Sequence, residues 1–180
     1  MIYTYEECIE KYKSAYQIKK SIERHDLYKI EPGIYSDNQY ASQTAVMMKK
    51  YPHAVFTLDS AFYYHGLTDT IPTQYHLLTN KDANKIADSK IKQSYDNCSS
   101  MDIGVEVINY DGDEIRVFNK ERLLIELVRN RTKLPFDYYK EIIGNYRKLV
   151  NQLDFQAIEE YAKALPKTDL VMNTIKLEVL

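Results

Sequence analysis

The sequence predicts an α+β protein: an N-terminal winged helix-turn-helix followed by a mixed α/β domain that ends in several helices. Three observations predict it. Two helical segments joined by a very short turn are followed at once by a β-hairpin. The stretch from Ala54 to Thr79, AVFTLDSAFYYHGLTDTIPTQYHLLT, strings an apolar extended run, a short aromatic helix and a second extended run around one Gly and one Pro. After Asn119, four amphipathic helical segments succeed one another.

The N-terminal elements follow from local chemistry. Residues 4–12 read as a helix opened by the capping box T-Y-E-E, with Thr4 as cap and Glu7 as its reciprocal partner. A second helix runs from about Ser14 to His25, with Ser14 as cap and Ala15, Ile18 and Ile22 at helical spacing. Leu27 to Ile30 alternates as a strand, Glu31-Pro32-Gly33 turns, and Ile34-Tyr35 returns. A hairpin directly behind the second helix is the layout of a winged helix. Asp37 or Asn38 is expected to open a third helix that runs to about Tyr51 and is stopped by Pro52.

Further along, Ala54–Leu58 reads as a buried strand. Asp59 or Ser60 then caps a helix of one to two turns that Gly66 ends, and Gln74 to Thr79 is another strand. Ile91 to Tyr95 is a third strand candidate. Gly104 to Val117 reads as a hairpin turning on Asp111-Gly112. Helices are expected at about 120–131, 137–150, 154–164 and 168–178, capped by Asn119, Asp137, Asp154 and Thr168. The resulting organisation is a short winged helix-turn-helix over 1–37, a linking helix over 38–52 and a C-terminal domain over 53–180.

Composition narrows the function classes. The 180 residues carry a net charge of -2, so any nucleic-acid binding must come from a local patch. Cys8 and Cys98 form no C-x-x-C pair and are too few for a disulfide framework, which fits a reducing, cytoplasmic setting. No apolar run is long enough to cross a membrane, and Met1 opens no signal-peptide pattern. No phosphate-loop or dinucleotide glycine fingerprint occurs among the five glycines.

Two groups of residues carry candidate function. The second helix presents Gln17, Lys19, Lys20 and Arg24 away from Ile18 and Ile22, with Lys13 ahead of it. Gln and Arg can read base edges in a major groove, while Lys neutralises phosphates. Residues 1–37 hold six basic against seven acidic side chains, so such binding would be modest and salt-dependent. From Arg116 to Val150, nine basic residues face four acidic ones. A basic surface for RNA or an acidic protein and a set of ordinary solvated helix faces are both consistent with that run. Asp59, Ser60 and His65 lack the nucleophile elbow of a triad, and His53, His65 and His76 lack metal-ligand spacing. Glu106, Asp111, Asp113 and Glu114 offer carboxylates for a metal-dependent nucleic-acid enzyme, but Glu106 lacks the Lys two residues on that such nucleases use.

The order of these segments resembles the AbiEi family, the antitoxins of type IV abortive-infection toxin–antitoxin systems. LYKIEPGIYSD (Leu27 to Asp37) looks like the family's wing. TLDSAFYYHGLTDTIPTQYHLLT is similar to its S-A-x-x-x-H-G-L-x-D-x-x-P block, matching at Ser60, Ala61, His65, Gly66, Leu67, Asp69 and Pro72. Ile115 to Tyr146 matches the run in which a strand leads into an E-R-x-L/I helix and then a helix containing Asp. The resemblance implies a non-enzymatic protein of phage defence, without cofactor or metal. Its winged helix would repress its own operon by binding operator DNA. Its C-terminal domain would neutralise a cognate nucleotidyltransferase toxin, with no need for stable contact. By the resemblance, DNA contacts fall on Lys13, Ser14, Gln17, Lys20 and Arg24. The antitoxin surface falls on Arg122, Arg129, Arg131, Lys133, Lys140 and Arg147. The family usually carries a further helix ahead of the helix-turn-helix, for which Met1 to Tyr3 leave no room. The alternative reading is a plain DNA-binding transcriptional regulator with a C-terminal dimerisation or sensing domain.

Overall fold

Side-chain caps set the helix starts in the first fifty residues, and sheet pairing does the rest. A computed structural model describes residues 1–180, and the class is mixed α and β. The chain divides into two units, Met1–His53 with Asn109–Ile115, and Ala54–Ile108 with Arg116–Leu180.

The first unit runs β1 (Ile2–Thr4), α1 (Tyr5–Tyr12), α2 (Ala15–Glu23), β2 (Tyr28–Glu31), β3 (Ile34–Ser36) and α3 (Gln43–Lys50). The expected capping box is formed: Thr4 Oγ1 accepts the Glu7 N–H, and the Glu7 carboxylate accepts the Thr4 N–H at 2.7 Å. α1 ends where Lys13 turns left-handed at φ +69, and Ser14 starts α2 by accepting the Gln17 N–H. Cys8, Ile18, Leu27 and Tyr35 form the core, with Tyr3, Ile9, Tyr12 and Ile22 packed around them.

The strand Ile2–Thr4 is absent from the sequence reading, because three residues carry no measurable alternation. It exists through its pairing with β3, Tyr3 opposite Tyr35. β3 is central, antiparallel to β1 and to β2, giving the order β1-β3-β2. Gly33 makes the hairpin turn at φ +79. α3 does not open at Asp37 or Asn38. Asn38 donates its N–H to Ser36 Oγ, and Asn38 Oδ1 accepts from Tyr40 N–H. These local bonds satisfy the backbone without a helix, and Ser42 caps α3 instead. α3, read as a linker, buries Val46 and Met47 and packs on β1. It is pinned by Lys49–Glu7 at 2.6 Å and Lys50–Glu31 at 2.8 Å.

The second unit contains β4 (Val55–Phe56), α4 (Leu58–Tyr64), β5 (Tyr75–Asn80), β6 (Ile91–Asp96), α5 (Cys98–Met101), β7 (Val105–Tyr110), β8 (Asp113–Phe118), α6 (Lys120–Arg129), α7 (Phe136–Leu149), α8 (Phe155–Ala164) and α9 (Thr168–Glu178). The β7–β8 turn, which falls in the first unit, has positive φ at both Asp111 and Gly112. That is the geometry an Asp-Gly hairpin favours. The sheet order is β6-β5-β4-β8-β7, with β4/β8 and β5/β6 parallel and β4/β5 antiparallel. α6 buries Leu123, Leu124, Ile125, Leu127 and Val128 completely, because α4, α8 and α9 all pack on it.

Three expected caps are corrected. Thr57 is the N-cap of α4, which places Asp59 and Ser60 inside the first turn. α7 follows Pro135 as N-cap rather than Asp137, since proline's fixed φ suits a helix entry. Lys167, φ +69, is the N-cap of α9, while Thr168 Oγ1 donates back to the Ala162 carbonyl at 2.8 Å.

Gly104, at φ +70, admits no side chain: a Cβ there would fall 2.5 Å from Arg122 Cβ and 3.1 Å from Tyr161. Gly104→Ala is expected to destabilise the protein by about 2–4 kcal/mol, from strain plus overpacking. Gly112→Ala has the same conformational problem but open space around it. It should cost only about 1–2 kcal/mol. Urea midpoints of the two variants measure the difference.

Candidate functional site

α2 has one buried and one open face. Ile18 is buried and Ile22 half-buried against the core. At about 100° per residue, Gln17, Lys20 and Arg24 fall within one narrow stripe opposite them. Lys13, Gln17 and Arg24 are exposed and Lys20 half-buried. None of these four side chains makes an ion pair or a side-chain hydrogen bond. Ser14 differs, because its Oγ accepts the Gln17 N–H at 3.3 Å and holds the helix start. The sequence reading passed over Tyr16, which is 69% exposed beside Gln17 and Lys20. Its position four residues before Lys20 was the available signal.

The six basic residues assigned to an antitoxin surface differ in exposure and in pairing. Arg122 is the clearest correction, at 0% exposure. Its Nε donates to Glu126 Oε1 at 3.1 Å and its Nη2 lies 2.9 Å from the same oxygen, its Nη1 donates to the Ser100 carbonyl at 3.1 Å, and Asp96 lies 3.8 Å away. Its guanidinium lies 4.6 Å from the centre of the Phe118 ring. A helix wheel reads this position as polar and therefore outward, but here the polar edge of α6 is covered as well. Arg129 is held by the same Glu126 oxygen at 2.7 Å. Arg131 donates to Thr174 Oγ1 and lies 3.9 Å from Glu178, and Arg147 Nε donates to the Glu178 carbonyl at 2.6 Å. Lys140 sits 4.7 Å above the Phe136 ring. Lys133 alone among the six is exposed without a partner.

The Asp59, Ser60 and His65 set is structural. Ser60 is buried and accepts the His76 N–H at 2.8 Å. His65 Nε2 bonds the Phe118 carbonyl at 2.8 Å, with Glu106 3.6 Å away. Burial pushes the His65 pKa down against the pull of these two partners. Burial also lowers the His76 pKa, although the carboxylate of Asp59 is 3.7 Å away. The carboxylates considered for metal chemistry have separate jobs: Glu106 faces His65, and Asp113 accepts from the Ser42 hydroxyl. No group of three or more His, Cys, Asp or Glu side chains is placed to hold a metal ion.

A cleft of about 280 Å³ opens beside the buried arginine, lined by Asp96, Phe118, Arg122, Glu126, Arg129, Lys133 and Lys167 among others. No helix is long and apolar enough to cross a membrane. No protein-family model matches the chain, and no curated protein matches it.

Arg122→Leu is expected to destabilise the protein by about 3–5 kcal/mol, because it breaks a buried ion pair and leaves the Ser100 carbonyl without its donor, while Glu126 keeps only Arg129 and Asn130. Thermal unfolding measures the loss. The histidines add a pH dependence. Unfolded, each titrates near 6.5; folded, each titrates lower. Below pH 6.5 the unfolded chain binds protons that the folded one refuses, so stability falls as the pH drops from neutral toward 5. His65→Gln should flatten the dependence of Tm on pH over that window.

Proposed function

We propose that this chain is a non-enzymatic antitoxin of the AbiEi kind, which binds operator DNA through α2 and counteracts a nucleotidyltransferase toxin. The observation that carries the DNA part is the unpaired Gln17–Lys20–Arg24 stripe on the second helix of a tight pair. The surrounding topology supports the same reading. A strand precedes the two helices, a hairpin follows them, and the returning strand β3 pairs with both in the order β1-β3-β2. That arrangement suits a winged helix-turn-helix, with α2 as the element that enters a major groove and Pro32-Gly33 at the tip of the wing. Six basic and seven acidic residues in this region make the stripe, rather than the net charge, the source of affinity.

The toxin-directed part rests on the segment resemblance. Arg129, Arg131, Lys133, Lys140 and Arg147 remain as its candidate residues, and Arg122 leaves the set because it is buried. A second reading has one specific observation in its favour. Four arginines of the C-terminal half are engaged within the fold, which suits a transcriptional regulator whose C-terminal domain senses a ligand or dimerises.

Lys20→Ala and Arg24→Ala should each weaken binding to the chain's own promoter and lower the slope of log K against log salt by about 1. Gln17→Ala should relax sequence preference by about 1–3 kcal/mol at one base pair. Gel shift across a salt series measures both, and unchanged binding would remove α2 from the interface. Co-expression with a cognate nucleotidyltransferase toxin should restore growth to cells that the toxin arrests. Persistent arrest would favour the regulator reading.

A further inference from the structure

We propose that the cleft beside Arg122 binds a nucleoside monophosphate, with the phosphate held between Lys133 and Lys167. The inference is independent of whether α2 binds DNA, since every residue it uses lies in the second unit.

The charge balance of the cleft carries it. Arg122 and Arg129 face Asp96 and Glu126, and these four charges satisfy one another through contacts of 2.7 to 3.8 Å. Lys133 and Lys167 line the same cleft and make no ion pair or side-chain hydrogen bond. Two positive charges are therefore uncompensated in a concave site, where field lines converge on whatever enters. A phosphate monoester carries a charge of about −1.5 to −2 at neutral pH and matches that deficit.

Size and lining select the rest of the ligand. At about 280 Å³ the cleft sits at the lower end of small-molecule sites and suits a mononucleotide rather than a dinucleotide. Two aromatics line it. Phe118 is covered by the Arg122 guanidinium, while Tyr95 is 46% exposed with its hydroxyl tied to Gln93. The Tyr95 ring is thus the available stacking surface for a base. The floor is rigid, because Arg122 is fixed by Glu126, Ser100 and Phe118. Leu58 at φ +43 and Lys167 at φ +69 are two of the five non-glycine residues with positive φ, and both line the cleft. Strained backbone of this kind concentrates at ligand sites.

The test is calorimetric titration of the full chain with AMP, GMP, CMP and UMP, beside adenosine, inorganic phosphate and a single-stranded RNA hexamer. Saturable one-site binding of at least one monophosphate is expected, about tenfold or more tighter than inorganic phosphate, with none for adenosine. Lys133→Gln with Lys167→Gln should weaken that affinity about tenfold or more, and Lys148→Gln, outside the cleft, should not. Tyr95→Ala should weaken the monophosphates and leave inorganic phosphate unchanged. Circular dichroism of the exposed-lysine double variant confirms its fold, and the single Lys133→Gln variant provides the same readout if the double fails to fold. No saturable binding at millimolar monophosphate, or full affinity in the lysine variants, overturns the proposal. Equal affinity for inorganic phosphate overturns the nucleoside assignment, and tighter binding of the hexamer overturns the free nucleotide in favour of a strand.

Discussion

The fully buried guanidinium of Arg122 is the constraint around which the second unit is arranged. Removing such an ion from water costs several kcal/mol unless its hydrogen bonds are replaced. Hydrogen bonds to the Ser100 carbonyl in α5 and to Glu126 one turn along α6 replace them, and Asp96 at the end of β6 adds an opposite charge 3.8 Å away. Satisfying one side chain therefore fixes a sheet edge, a connecting turn and the central helix at a common point. Gly104 belongs to the same arrangement. Its missing side chain leaves room for Arg122, and its carbonyl accepts the N–H of Asn119, which caps α6.

A second consequence concerns where function can reside. Basic residues that look like a surface in the sequence are largely engaged within the fold. Glu126 holds two of them, and Glu178 gathers Arg131, Arg147 and the Tyr139 hydroxyl at the end of α9. Charges satisfied internally cannot neutralise a partner without giving up those bonds. Among the charges left free are the stripe on α2 and the lysine pair at the cleft, two sites in different units with different chemistry. One suits a phosphate backbone and base edges; the other suits a single phosphate.

Much of the local structure was legible from residue types. Thr4 with Glu7, Ser14, Asn119 and Asp154 cap helices where a side-chain oxygen precedes a helical run, because the bonds involved span only three residues. The Asp111-Gly112 turn was readable for the same reason, since positive φ at two successive positions leaves few residue choices. The α2 stripe was readable because it is a property of one helix, although Tyr16 beside it was passed over. The misreadings share a cause. Asp37 and Asn38 have cap chemistry, but Asp37 pairs with the Met1 ammonium and Asn38 bonds within a turn, and Asp137 and Thr168 have it where the helix entry is set by Pro135 and Lys167.

The sequence by itself determined the starts of α1, α2, α6 and α8, the hairpins and the amphipathic faces, because each depends on contacts within a few residues. Only the tertiary structure decided that Ile2–Thr4 is a strand, that β4 sits centrally between β5 and β8, and that Arg122 is buried while Lys133 is not. Those outcomes depend on groups brought together from far along the chain, such as Tyr3 with Tyr35 and Asp96 with Arg122. A periodic pattern records which side of a helix is apolar, and it carries no information on whether a neighbouring element covers the other side.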